Sequence, residues 1–295
     1  MEQIYPDISV LMTAYNIGNF IKQAINSVLD QKIEYTYELI IADDCSSDNT
    51  KNIVKEFIQN HPKGNLIRYY RNEKNLGLIQ NSKYIFSLAR GRYIAMIDGD
   101  DYWIDNEKLQ KQIFFLEKNM DFNSSTGIVL MKNEETNKTK ILRDGWNTSK
   151  KEEYELSNYL KGPFSQTSSY FFRNNLQFPD WFDDLQSNDA AIFCLATKNG
   201  KIKYFKEVFS VYRMHPVNYS SKKTPKQSRK KTKFFLDKIN EYFDYKYNSI
   251  IKIRLLINEV YYYKDKYKNN AFIAFFINGI ILVLFLFNKF FNSNK

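Results

Sequence analysis

Cysteine is nearly absent: Cys45 and Cys194 are the only two in 295 residues, far apart and without metal-ligand spacing. A disulfide framework and a cysteine-based zinc site are thereby excluded, and a reducing compartment is expected. Glycine is scarce as well, at 10 residues, and none forms a Gly-rich turn after the first strand-like run. Thr13-Ala14-Tyr15-Asn16 stands there instead, which excludes a nicotinamide dehydrogenase and a nucleotidyltransferase with a Gly-rich, basic first loop. There are 2 histidines. His61, beside Pro62, reads as a turn residue, which leaves His215 for chemistry. The first residues lack the basic and apolar regions of a signal peptide, so the expectation is a chain that is not secreted. On that expectation the sequons at Asn123, Asn137, Asn147 and Asn218 are chance matches in an Asn-rich chain. The sequence contains no internal repeat.

What is present suffices for one large domain and an appendage, with 43% hydrophobic residues. The net charge of +10 is uneven: residues 221–270 carry 14 Lys/Arg against 5 Asp/Glu. Such a basic stretch has two readings, an attractor for anionic partners or a solvated helical surface. Nucleic acid is not among the expected partners.

The first hundred or so residues alternate strand-like and helical patterns. Apolar runs at 8–12, 38–42, 66–70 and 92–97 read as strands. Helical periodicity follows from 19, over 48–59, after Gly77 and over 108–119, with Asp48 as a helix cap and Gly91 as a C-cap. Strands joined by helices of this length imply crossovers and a mostly parallel α/β sheet flanked by helices. Ligands gather at the carboxyl ends of such strands. Thr13–Asn16, Asp43-Asp44 and Asp98-Gly99-Asp100-Asp101 sit at three of those ends. Further strands are expected at 127–131, 168–172 and 208–212, and helices at 188–199 and 227–268.

Three carboxylates in the four residues 98–101 repel one another, so the loop calls for a cation or raised pKa values. Hard divalent ions take carboxylate oxygens together with substrate phosphates. A solvated acidic turn is the alternative reading of this short pattern taken alone.

The run Ile97-Asp-Gly-Asp-Asp-Tyr-Trp103, with residues 108–117 after it, resembles bacterial family-two glycosyltransferases of the Gly-Asp-Asp-Tyr-Trp subgroup. The resemblance extends to residues 10–16, 42–48, 75–77 and 89–94, and covers roughly 6–217. It implies the GT-A nucleotide-binding fold and an inverting transfer of a monosaccharide from a nucleotide-sugar, UDP-sugar favoured. The acceptor it implies is a hydroxyl of a saccharide or lipid-linked molecule in surface-polysaccharide synthesis. It also implies a divalent metal, Mg²⁺ or Mn²⁺.

Site roles follow from the same resemblance. Tyr15 stacks on the nucleobase, Thr13 contacts the nucleotide and Asn16 fixes the loop. Asp44 accepts from the base edge, and Arg71 pairs with base or phosphate, or is a surface arginine. Asp98 faces the ribose or a metal-bound water, and Asp100 binds the metal, with His215 as a second candidate ligand. Thr167, Ser168 and Arg213 are candidates for sugar, acceptor or diphosphate contacts, and Gln166 stands where relatives often carry His. Asp189, at the start of a late helix, is the candidate general base, with Asp183 and Asp184 as competitors.

The segment 271–287 is apolar and spans ~26 Å as a helix, at the short edge for a bilayer. It is expected to associate with the cytoplasmic membrane, the alternative being a helix buried against protein. The expected organisation is a catalytic domain at 1–220, a basic helical extension at 221–268 and a membrane-associating segment at 269–295. The rival from another class is a catalytically silent nucleotide-sugar-binding scaffold of a membrane glycan-assembly complex.

Overall fold

A computed structural model describes residues 5–142, 151–198, 200–216 and 224–267. In chain order the elements begin with β1 (Ile8–Ala14), α1 (Ile21–Leu29), β2 (Tyr37–Asp43), α2 (Thr50–Asn60), β3 (Ile67–Arg71), α3 (Leu78–Ser87) and β4 (Tyr93–Asp98). There follow β5 (Tyr102–Trp103), α4 (Lys108–Lys118), β6 (Phe122–Asn133), β7 (Thr139–Ile141), β8 (Glu153–Tyr154), α5 (Leu156–Lys161) and β9 (Phe171–Arg173). The last are α6 (Asp189–Thr197), β10 (Lys201–Met214), α7 (Pro225–Tyr242) and α8 (Asn248–Lys266). The chain divides into two compact units, Met1–Tyr159 with Pro163–Asn218, and Leu160–Gly162 with Tyr219–Lys295.

The first unit is one mixed sheet in the order β3-β2-β1-β4-β9-β6-β10-β5, with β7 on β6 and β8 on β10. The half from β3 to β4 is parallel, as the sequence pattern predicts. β2 is buried along its whole length and β1 everywhere but Thr13, the apolar continuity of strands covered on both faces. Their side chains share a core with Ile21, Ile25 and Val28 of α1 and Val54 of α2. The register aligns Thr13 with Asp98, Ala14 with Asp43, and Asp43 with Arg71. The polar residues ending four strands therefore lie in one row.

The other half departs from a parallel expectation. β9 lies antiparallel between β4 and β6, and β10 then runs parallel to β6. These reversals bring the carboxyl end of β10, with Arg213, to the same end of the sheet as Asp98. The expected strand at 168–172 is shorter, because Thr167–Ser169 forms a 3-10 turn before β9. Gly91 is not a helix cap, since α3 ends on Leu88. Its lack of a side chain serves close packing: a Cβ there would lie 2.4 Å from the Ser9 backbone nitrogen.

In the second unit the expected long helix is two, α7 and α8, separated by Asp244 and Tyr245 at φ 48° and 58°. Thr224 and Gln227 form a capping box at the start of α7. Phe235, Leu236, Ile239 and Ile251 are buried, and Arg229 pairs with Glu259 at 2.5 Å. No helix among the described residues is long and apolar enough to cross a membrane. The segment 271–287 lies outside the described residues.

Candidate active site

The loop after β1 is held by side chains of the loop after β2. Asn16, at φ 53°, donates its backbone N–H to Ser46 Oγ at 2.9 Å and accepts from the Ser47 N–H at 2.8 Å through Oδ1. Asp48 accepts from the Gly18 N–H at 2.8 Å and the Thr50 N–H at 3.0 Å. It thus ties the two loops together, while Asn49 occupies the N-cap position of α2, one residue later than the sequence suggests. Between these anchors Tyr15 is 51% exposed, an aromatic face left to solvent at the end of β1.

Asp43 is fully buried. Its carboxylate accepts from the Ser46 N–H at 2.8 Å and the Tyr69 hydroxyl at 2.5 Å, and faces Arg71 Nε at 3.8 Å. Burial and this carboxylate hold the Tyr69 hydroxyl well above its ordinary pKa. Arg71 also donates to the Ser46 carbonyl at 3.0 Å. Asp44 accepts from the Leu76 and Gly77 N–H groups at 2.7 and 2.8 Å and from Asn72 Nδ2 at 2.9 Å. Both oxygens thus already serve the chain's own loop, and Asp44 acts first as a clamp on the turn that enters α3 at Gly77 (φ 81°).

Asp98 ends β4, and Thr13 Oγ1 donates to its Oδ1 at 3.0 Å. Its carboxyl is pushed up to about 8, by burial first and then by the negative charges of Asp100 and Asp189. Asp189, the exposed first residue of α6, is therefore within electrostatic reach of the acidic loop although 91 positions separate the two in sequence. Asn188 beside it anchors the helix start by donating to Ser82 Oγ. Of the competitors, Asp183 is taken up by Lys83 at 2.7 Å. Asp184 is exposed.

Asp100 Oδ2 lies 3.1 Å from His215 Nε2, and that imidazole stacks on Phe20 at 4.3 Å. Asp101 has other partners. It is fully buried, accepts from the Arg213 N–H at 3.0 Å, and faces Gln166 Nε2 at 3.4 Å. Burial and the neighbouring aspartates hold it well above the usual carboxylate range. Arg213 is buried and its guanidinium is engaged within the protein. It donates to the Asp100 carbonyl at 2.6 Å and to Gln23 Oε1, pairs with Glu134 at 3.2 Å, and lies over the Tyr102 ring at 4.4 Å. The structure thus gives Arg213 the work of holding the acidic loop.

Ser168 is fully buried, its hydroxyl between Gln166 Oε1 at 2.6 Å and Ser210 Oγ at 2.8 Å. Its carbonyl accepts from Trp103 Nε1 at 2.7 Å. These contacts make it a packing residue. Thr167 is buried with no partner for its hydroxyl among the described residues. Gln166, whose role the sequence leaves open, caps the turn through Ser168 and reaches Asp101. Sequence reasoning misses Gln23 and Glu134, because only the fold brings them to Arg213.

Among the described residues no group of three or more His, Cys, Asp or Glu is placed to hold a metal ion. Asp100 and His215, 3.1 Å apart, are instead a two-residue donor pair. That fits an ion completing its shell with substrate phosphates.

A family model described as "Glycosyl transferase family 2" matches residues 9–177. Among curated proteins, the chain is 38% identical over 112 residues to the Escherichia coli UDP-Glc:alpha-D-GlcNAc-diphosphoundecaprenol beta-1,3-glucosyltransferase WfgD, covering 38% of this chain and 42% of that one. The chain spans about half the length of the curated relatives it matches. Among solved structures, S. aureus TarS 1-349 in complex with UDP-GlcNAc superposes with a TM-score of 0.66 at 18% identity, over 90% of this chain and 76% of that one. The mannosyltransferase PcManGT from Pyrobaculum calidifontis, in complex with GDP-Man and Mn²⁺, gives 0.59 at 16% identity over 80% and 64%. Both carry the GT-A fold, which is the fold seen here.

Proposed function

The chain belongs to glycosyl transferase family 2, and on that premise we propose that it moves a monosaccharide from a nucleotide-sugar to an acceptor hydroxyl, with inversion. The observation that carries this reading is the convergence of Asp98, Asp100 and Asp189, from two distant segments, on one end of the parallel strands. Burial and the two neighbouring charges push Asp98 up to about 8. Such a concentration of negative charge is costly to a fold and useful to a reaction in which a cationic centre meets a leaving diphosphate.

Tyr15 offers its exposed ring to the base, and the clamped loops of Asn16, Asp44 and Arg71 shape the cleft around it. Thr13 and Asp98 stand where β1 and β4 meet a ribose. Asp100 and His215 would hold a divalent cation, which when bound supplies positive charge to the diphosphate. Asp189 takes the proton of the acceptor hydroxyl as that oxygen attacks the anomeric carbon. It stands at the N-terminus of α6, where the helix dipole favours a carboxylate. Asp101 and Arg213 do not touch substrate in this reading. They fix the backbone on which Asp100 sits.

A UDP-sugar donor is favoured, in keeping with the donors named for WfgD and TarS. By the same analogy the acceptor is a saccharide or a lipid-linked saccharide, and the pathway is surface-polysaccharide assembly. The chain would work at the cytoplasmic face of the membrane, with residues 271–287 as its attachment.

A panel of sugar nucleotides tests the reading. Nucleoside diphosphate release that needs Mg²⁺ or Mn²⁺ is expected with one donor class. Asp189→Asn should reduce transfer by about 10²–10⁴-fold with donor affinity kept. No release from any donor, with nucleotide still bound, would replace the enzyme with a silent scaffold.

A further inference from the structure

We propose that α8 is a membrane-docking helix that lies on an anionic bilayer surface through Ile253, Leu256 and Tyr263. At about 100° per residue these three fall within an arc of about 80° on one side of the helix. All three are exposed to an unusual degree for their types, Ile253 40%, Leu256 49% and Tyr263 44%, while Val260 within the same arc is buried. An apolar stripe left open over three turns of helix marks a surface made to be covered.

The charges around the stripe identify what covers it. Residues 224–267 hold 11 Lys/Arg against 5 Asp/Glu. Three of those acids are already neutralised, in the pairs Arg229–Glu259, Lys233–Asp237 and Lys238–Glu241. Lys226, Lys230, Lys246, Lys252, Lys264 and Lys266 form no ion pair among the described residues. By helical position Lys252 and Lys266 flank the stripe on one side and Lys264 on the other. A second copy packed on the same stripe would bring these lysines against their own kind, which opposes association. A bilayer with anionic headgroups takes the apolar stripe into its interface. It also offers phosphates to lysines on long aliphatic stems, with Tyr263 suited to the boundary between them.

This extends the lipid-linked acceptor reading by naming the face that meets the lipid. Its test uses no acceptor, so the two can fail separately. The full chain would be co-sedimented with vesicles of phosphatidylcholine alone and of phosphatidylcholine with phosphatidylglycerol. Residues 271–287 would contribute alike to both vesicle types, so tighter binding is expected to the anionic vesicles, with an excess that weakens with salt. Ile253→Gln with Leu256→Gln should lower the partition coefficient about tenfold. Lys252→Glu with Lys266→Glu should bring anionic-vesicle binding down to the neutral-vesicle level. Nucleoside diphosphate release in solution should stay as in the unaltered chain for both variants. Equal binding to the two vesicle types, or unaltered binding by both variants, would overturn the proposal. So would light scattering showing a dimer that the Ile253→Gln/Leu256→Gln variant turns into a monomer, since the stripe would then be a seam between copies.

Discussion

Replacing Asp98 by Asn should stabilise the metal-free protein, and increasingly so as the pH rises. In the unfolded chain this carboxyl ionises near its ordinary 3.8, whereas in the fold it holds its proton up to about 8. Between those values the folded state carries the extra proton, so stability falls as pH increases, and above about 8 the loss is complete. Below both values the residue contributes nothing. At about 1.4 kcal/mol per pH unit the displacement bounds the loss at about 6 kcal/mol. Asp98 keeps some solvent access and shares its field with Asp100 and Asp189, so about half of that, ~3 kcal/mol, is the expected cost. Asn keeps the shape and an acceptor for Thr13 Oγ1, and it removes the charge. In chelator, the variant's melting temperature should match the unaltered chain near pH 4 and exceed it by about 6–12 °C at pH 9. Thermal unfolding followed by circular dichroism across that range is the assay. Equal melting temperatures at pH 9 would refute the claim that buried negative charge is concentrated at the end of β4.

Two further outcomes follow from other residues. Tyr15→Ala should weaken nucleoside diphosphate binding by about 3–10-fold through loss of the exposed ring, measured by titration calorimetry with Tm unchanged. Arg213→Gln should leave Glu134 and the Asp100 carbonyl without their cation and destabilise the chain by about 3–5 kcal/mol, seen as a lower denaturant midpoint. Rescue by Lys should be incomplete, because one ammonium cannot span Gln23, Glu134 and the loop carbonyl together.

The parallel half of the sheet is legible in the sequence because each of its strands is a continuous apolar run ending in polar residues, with helical periodicity between. Asp98 and Asp100 are legible for a local reason, since a strand delivers them into a single turn. The other half hides its order. Ser124, Ser125 and Thr126 are buried polar residues inside β6, so the apolar pattern that marks a strand is broken there. Their hydroxyls are satisfied by partners distant in sequence, such as Thr197 at 2.8 Å and Ser169 at 2.6 Å. β5, β7 and β8 are 2–3 residues long, too short for any period to show. The split between Asp100 and Asp101, one facing His215 and the other locked against Arg213, depends on contacts across more than a hundred residues. No spacing within the acidic loop encodes it.

Titration of UDP into the protein with and without Mn²⁺, repeated on Asp100→Ala, tests the central claim most directly. The account predicts that the metal tightens UDP binding to the unaltered chain at least tenfold and leaves the variant, still folded, at its metal-free affinity. The same metal-dependent gain in Asp100→Ala, or no gain in the unaltered chain, would contradict it.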